Sequence, residues 1–319
     1  MQTYVIRRLL LTIPTLFGVT VFIFLIMRVL PGDPLASTGD AQRMIILTEE
    51  QAAAARNALG LDRPLHIQYL DWVADILRGD LGFSFFRTGE PIREMLQRRA
   101  PVSAQIAFFG VIFSWIIGLP VGIIAAMRRN TVLDYVSRVG VTVGMAVPSF
   151  WVALTLVIVT VIFFQWKPPI EVAFIWDDPW KSLQQTVPPA AVFAIGGGAL
   201  IARMSRATLL EVLNEDYVRT ARAKGLMNRA VLWRHAFKNA VLPVITLSGL
   251  QLAGILSGMV AVERALGIPG LGFALINAID QRDWMVIQNL VLLFGVIYVF
   301  VNLAVDLTYA WIDPRIRYG

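Results

Sequence analysis

Few side chains in this sequence are of the types that perform catalysis or bind metals. The chain contains no cysteine, and its two histidines, His66 and His235, lie far apart. It therefore has no thiolate nucleophile and no cysteine-ligated metal site, and a histidine site would need carboxylates to complete it. No GxxxxGK[ST], GxSG or HExxH motif is present. The sequence predicts a non-catalytic chain that holds no metal, nucleotide or other cofactor.

The most informative polar stretch is residues 203–238, which carries eight basic side chains and is much longer than a hairpin between two helices needs. Residues 217–224 are predicted to form a short helix that ends at Gly225, in the left-handed conformation that glycine tolerates best. Asn228 is predicted to cap a second helix over 229–240. Two short helices joined at a glycine would project from the rest of the protein. Such a projection typically fits a groove in another protein.

Long apolar runs must position this projection. The 319 residues are 57% apolar and only 16% charged, with a mean hydropathy of +0.65, whereas soluble domains average about 45–50% and about 25%. A membrane span needs about 20 mostly apolar residues. Six runs meet or approach this length, so we expect six transmembrane helices in an all-α integral membrane protein. They lie within 1–29 and at about 102–127, 139–164, 186–204, 241–262 and 284–308.

The basic residues predict the orientation of these spans. With the N-terminus inside, the inner segments hold fifteen Lys and Arg residues and the two short outer loops hold four. An excess of positive charge marks the cytoplasmic side, so both termini are expected there. The first run is too long for the apolar core of a signal peptide, which predicts an uncleaved span. The basic loops fit this rule, which argues against nucleic-acid binding.

Residues 30–99 are predicted to form a helical insert outside the membrane. One helix would run from Thr48 to Gly60, and a second from Pro64 to Gly79 with a broad apolar face. The insert fits a cap packed on the membrane helices, and it also fits a docking surface for an outside partner.

Glycine and proline interrupt several spans. Three GxxxG pairs, at 118/122, 140/144 and 254/258, would allow close helix contacts. Kinks in such helices suit a bundle that rocks between states, and they equally suit a static one. The residues considered for the pathway or its gate are Pro148, Ser149, Gly254 and Gly258. Asp306 is the one acidic residue within the predicted spans, so no relay of midplane charges suggests ion coupling.

Several motifs resemble one family of bacterial permeases. Residues 216–226, together with Arg234-His235-Ala236 and Leu242-Pro243, resemble the EAA loop of ABC-importer permeases, in the version of the oligopeptide/dipeptide/nickel (OppB/DppB-type) family. Arg219-Thr220-Ala221 stands where the general pattern has Glu-Ala-Ala. Residues 30–34, 78–82, 147–150, 269–272 and 313–317 match the same family, and the resemblance covers essentially the whole chain.

The resemblance implies a type I ABC importer permease fold with six helices, N-in and C-in, and an extracytoplasmic insert after the first. Core residues 100–310 would carry a cytoplasmic coupling segment at 205–240 and an outward scoop at 263–283, followed by a tail at 311–319. The implied partners are a second homologous permease, two subunits that bind ATP and Mg, an extracytoplasmic substrate-binding protein and the lipid bilayer. The implied location is the inner or plasma membrane of a bacterial or archaeal cell.

The resemblance also implies site residues. The scoop beneath the binding protein would include Pro269, Gly270 and Gly272. The contact with the ATP-binding subunit would be formed by Tyr217, Arg219, Ala221, Arg222, Ala223, Gly225, Leu226, Arg229, Leu232 and Arg234. The implied function is transport of peptides or related small solutes. The alternative is a secondary transporter or channel that ATP does not drive.

Overall fold

The structure, a computed structural model, describes residues 2–29, 62–84 and 89–312. The regular elements within these ranges are helices, apart from one isolated backbone bridge between Phe83 and Pro91. In chain order they are α1 (Gln2–Val29), α2 (Leu65–Arg78), α3 (Ile92–Met127), α4 (Val132–Ala146), α5 (Ser149–Phe164), α6 (Pro179–Val212), α7 (Asp216–Ala223), α8 (Asn228–Ala230, a π-helical turn Val231–Ala236, and Phe237–Ala240), α9 (Leu242–Leu266), α10 (Leu271–Asp280) and α11 (Trp284–Ile312).

Five of the described helices are long and apolar enough to cross a membrane. They are Ile6–Val29 of α1, α3, α6, α9, and Trp284–Val305 of α11. All five coincide with predicted spans. α6, which corresponds to the predicted span at 186–204, extends beyond that run at both ends, and it stays helical through Pro188, Pro189 and three consecutive glycines.

The third predicted span is not one continuous helix. α4 and α5 meet at a bend of 95°. Val147 is extended, with φ −79° and ψ 123°, and Pro148 follows it with φ −64° and ψ 137°. Proline has no N–H to continue the helix, and its ring disfavours helical geometry in the preceding residue. Pro148 therefore divides the third predicted span into two helices.

Close backbone contact between α3 and α6 organises the bundle. A Cβ added at Gly118 would lie 2.5 Å from the carbonyl oxygen of Gly198, and one added at Gly122 would lie 2.6 Å from that of Ala202. Only glycine at both positions lets the two helices approach this closely. Elsewhere along the same helices, buried side chains of α3, α5, α6 and α9 form an apolar core, which includes Ile106, Ala153, Val192 and Met259.

α2 packs against α1 through aromatic side chains. The ring of Phe24 lies 5.4 Å from that of Tyr69 and 6.0 Å from that of Trp72. Gly79, with φ 81°, ends α2 as predicted. Several of the predicted features lie outside the described residues. These are the helix from Thr48 to Gly60, the motifs at 30–34 and 313–317, and the side chain of Asp306.

Candidate functional site

α7, the turn at 224–227 and α8 together form a bent projection after α6. Gly225 has φ +80°, so the predicted left-handed glycine is confirmed. The Gly225 N–H donates to the carbonyl of Arg222 at 2.9 Å, which closes the end of α7. The predicted cap at Asn228 is wrong, because Met227 occupies the capping position and no side chain caps α8. Asn239 Nδ2 donates to the hydroxyl of Tyr217 at 2.8 Å and ties the two helices together.

One face of the projection packs on the rest of the chain. Val218, Ala221 and Val231 are buried together. Leu232 is buried against Leu209 of α6 and Ala126 of α3. Ala221 and Leu232 therefore do not belong to a surface that a partner could contact. They fix the projection to the membrane helices instead. Their apolar type alone could not predict this, because it does not show which residues they pack against.

The opposite face is open. Residues 222–229, which we call the tip, are all exposed. The tip contains the predicted contact residues Arg222, Ala223, Gly225, Leu226 and Arg229. Tyr217, Arg219 and Arg234 are exposed on the adjoining helices.

Met227 was missed among the candidates. Its side chain is 78% exposed, compared with 41% for Leu226. An apolar residue directly after the glycine turn is the signal that could have identified it. Residues 217–240 include six basic and no acidic side chains. The tip therefore offers apolar side chains within a positively charged surface, which complements an apolar groove with an acidic rim.

A central cavity of about 330 Å³ lies at the bend between α4 and α5. Ser149, Gly254 and Gly258 line it, so the structure brings three of the four pathway candidates together. Pro148 lies at the bend itself, directly before Ser149. A Cβ added at Gly254 would have no neighbour within 4 Å, whereas one at Gly258 would lie 3.1 Å from the ring of Phe193. Their role in the pathway remains a prediction.

A buried amide that sequence reasoning missed borders the central cavity. Gln251 donates from Nε2 to the hydroxyl of Ser114 at 2.6 Å, and this hydroxyl donates to the carbonyl of Gly110 at 2.7 Å. A Cβ at Gly197 would lie 1.8 Å from Nε2 of Gln251. The glycine run in α6 thus makes room for an amide that bridges α9 to α3.

Pro269, Gly270 and Gly272 are buried, so their predicted place on an outward contact surface is wrong. A Cβ at Gly270 would lie 2.2 Å from Oε1 of Glu263, which shows how tightly this turn encloses a carboxylate. The exposed positions of this segment are instead Arg264, Ile279, Asp280 and Arg282. Arg264 donates to Asn277 at 2.8 Å and to Asp280 at 3.3 Å.

Within the described ranges, no three His, Asp or Glu side chains are grouped closely enough to hold a metal ion. The two candidate sites are therefore an exposed surface with basic and apolar side chains, and a cavity. The projection holds the exposed tip on helices that pack against α3 and α6. The central cavity lies where a helix pair is already bent.

Comparison with known proteins finds matching family models and a similar fold. A family model described as "Binding-protein-dependent transport system inner membrane component" matches residues 118–318, and the N-terminal model of the same systems matches residues 1–107. A solved structure titled as an inward-facing conformation of the MetNI methionine ABC transporter has a similar fold. Its TM-score is 0.58 at 17% identity, over 71% of this chain and 100% of that one.

Curated relatives align over the full length of both chains. The oligopeptide transport system permease protein AppB of Bacillus subtilis is 35% identical, and the dipeptide transport system permease protein DppB of Alkalihalophilus pseudofirmus is 36% identical. The glutathione transport system permease protein GsiC of Salmonella typhi is also 36% identical. The chain therefore belongs to the family of inner membrane components of binding-protein-dependent transport systems.

Proposed function

We propose that this chain forms half of the translocation pathway of an ATP-driven importer of short peptides, and that its tip contacts an ATP-binding subunit. The observation that carries the proposal is the turn at Gly225, which holds Leu226 and Met227 exposed on a projection fixed to α3 and α6. Because Leu232 and Ala221 pack inside, a push on the tip would be transmitted to the membrane helices. Elastic loops would dissipate such a push, whereas packed helices move as units.

The relatives support the substrate class. Their names refer to oligopeptides, dipeptides and glutathione, which are all short amide-linked solutes. The central cavity is lined by small and apolar residues with the polar groups of Ser149 and Gln251. A lining of this kind accepts varied side chains, so selectivity would reside in a separate binding protein.

The assembly that follows from the proposal contains partners of three kinds. A second homologous permease would complete the pathway, two ATP-binding subunits would bind ATP and Mg and hydrolyse the nucleotide, and an extracytoplasmic protein would deliver the peptide. The complex would lie in the inner or plasma membrane of a bacterial or archaeal cell. A secondary transporter is disfavoured because the two carboxylates buried in the described membrane helices, Asp134 and Glu263, are engaged in structural hydrogen bonds.

The proposal is tested by placing a charge at the tip in the assembled importer. Gly225→Asp adds a carboxylate where φ is +80° and a Cβ would meet nothing within 4 Å. Gly79→Asp is the matched control, because Gly79 also follows a helix, has φ +81° and has open space around it. The two variants carry the same backbone strain and the same charge at different places.

We measure uptake of labelled trialanine and ATP hydrolysis in proteoliposomes that contain the partner subunits and the binding protein. Gly225→Asp is expected to lower peptide transported per ATP by about tenfold, equivalent to about 1.4 kcal/mol of lost interaction, and Gly79→Asp is expected to transport normally. Equal losses in both variants would show strain rather than contact. Normal coupling in Gly225→Asp would refute the assigned contact. If the unaltered importer hydrolyses ATP but takes up no trialanine, the result would refute the substrate class alone.

A further inference from the structure

A second cavity, distinct from the central one, lies between α3, α4 and α6. Its volume is about 280 Å³, and three arginines line it: Arg138 of α4, and Arg203 and Arg206 of α6. Apolar side chains, among them Val121 of α3 and Val141 of α4, line the same space. We call this the basic cavity. Neither the tip nor the central cavity shares a lining residue with it.

The positive charge of the basic cavity is only partly neutralised. Arg206 donates to both oxygens of the buried Asp134, at 2.7 and 2.9 Å. Arg138 lies 5.4 Å from the centre of the Tyr135 ring. Among the described residues, neither Arg138 nor Arg203 forms a salt bridge with a carboxylate, and both are exposed. Three guanidinium groups therefore share one carboxylate, which leaves two positive charges at the cavity.

The remaining polar groups of the lining do not compete for a ligand. The Ser137 hydroxyl donates to the carbonyl of Leu133 at 2.7 Å, and the Thr142 hydroxyl donates to that of Arg138 at 2.9 Å. The free donors at the cavity are therefore guanidinium N–H groups. Such donors bind phosphate oxygens in a charge-assisted, often bidentate manner.

The setting of the cavity distinguishes a lipid from a soluble anion. Arg138 and Arg203 belong to the segments that the positive-inside rule predicts to be cytoplasmic. Val121 of α3 and Val141 of α4 line the cavity beside the arginines. A soluble phosphate would leave these apolar side chains uncovered, whereas the apolar part of a phospholipid would cover them.

We propose that the basic cavity binds the phosphate of an anionic phospholipid from the cytoplasmic leaflet, with Arg138 and Arg203 as its ligands. Basic pockets between membrane helices on the cytoplasmic side are suited to anionic headgroups. A lipid held there would bridge α4 to α6. This role is independent of which solute the importer carries.

The test uses the complete importer, purified with its partner subunits from bilayers of equal parts phosphatidylglycerol and phosphatidylcholine. Native mass spectrometry then counts the lipids that remain bound. The double variant Arg138→Gln/Arg203→Gln is expected to reduce retained phosphatidylglycerol by about tenfold. The control is Arg129→Gln, which removes an exposed positive charge from the 128–131 turn outside the cavity, and is expected to leave retention unchanged.

A third variant keeps every charge. Thr142 is exposed at the cavity, and Thr142→Phe would occupy the space without altering the arginines, so it is expected to displace phosphatidylglycerol as well. This variant decides the question if the double variant fails to assemble. The proposal is overturned if Arg129→Gln reduces retention as much as the cavity variants, if phosphatidylcholine is retained equally well, or if inorganic phosphate displaces the bound lipid.

Discussion

The hydroxyl of Ser103 donates a 2.6 Å hydrogen bond to Oε1 of Glu263, across 160 residues of sequence. The same hydroxyl accepts from the backbone N–H of Leu271 at 2.8 Å, and Oε2 of Glu263 accepts from that of Phe273 at 3.1 Å. These are the first backbone donors of α10, which have no partner within their own helix. A buried carboxylate and a hydroxyl thus cap α10 and join it to α3 and α9.

Removing this carboxylate should destabilise the protein. Glu263→Ala leaves buried N–H and O–H donors without an acceptor, so we expect the free energy of unfolding to fall by about 2–4 kcal/mol. The control is Asp280→Ala, whose ion pair with Arg264 is largely exposed and is expected to contribute less than about 1 kcal/mol. Thermal unfolding of the purified complex measures both. Similar melting temperatures for the two variants would contradict the capping role of Glu263.

The glycine run in α6 allows a comparison of neighbouring positions. Gly197→Ala would place a Cβ 1.8 Å from Nε2 of Gln251, whereas the nearest atom to a Cβ at Gly196 is 3.6 Å away. We expect Gly197→Ala to destabilise by about 1–3 kcal/mol through overpacking. Gly196→Ala should be neutral or stabilise by up to about 1 kcal/mol, because alanine favours helix. Thermal unfolding of the two variants checks this, and equal stabilities would show that the amide can move aside.

The apolar runs predicted the membrane helices well because hydropathy acts locally and needs no knowledge of neighbours. The GxxxG pairs could not be interpreted in the same way, because their role depends on neighbouring helices. At 118/122 both glycines contact another helix, whereas Gly140 and Gly254 face open space. Spacing identifies a smooth helix face, but only the packing decides whether a second helix lies against it.

In the projection, too, local features could be predicted from the sequence, whereas contacts between helices could not. The left-handed turn at Gly225 could be predicted because glycine alone adopts that conformation at little cost. The burial of Leu232 could not, since it depends on Leu209 and Ala126, which come from two other helices. Glu263 was missed for a related reason. Its partner Ser103 is 160 residues away and becomes a neighbour only after the bundle has formed.

The ion pair between Asp134 and Arg206 should be sensitive to the loss of one partner. The Asp134 side chain is fully buried and that of Arg206 is 24% exposed. Asp134→Ala would leave a guanidinium without its counter-charge, so we expect a loss of about 3 kcal/mol in the free energy of unfolding. The double variant Asp134→Ala/Arg206→Leu should recover part of this loss because no unpaired charge remains. A double-mutant cycle by thermal unfolding measures the coupling, and strictly additive losses would contradict it.

A side chain that fills the central cavity should slow transport. Because a Cβ at Gly254 meets nothing within 4 Å, Gly254→Leu should fill part of the cavity without disturbing assembly. We expect peptide uptake by the reconstituted importer to fall by about tenfold, which corresponds to about 1.4 kcal/mol in the barrier to transport. The control is Gly18→Leu, since Gly18 is exposed on α1 and also has no neighbour within 4 Å. Unimpaired uptake in Gly254→Leu, at normal levels of assembled complex, would place the pathway elsewhere in the bundle.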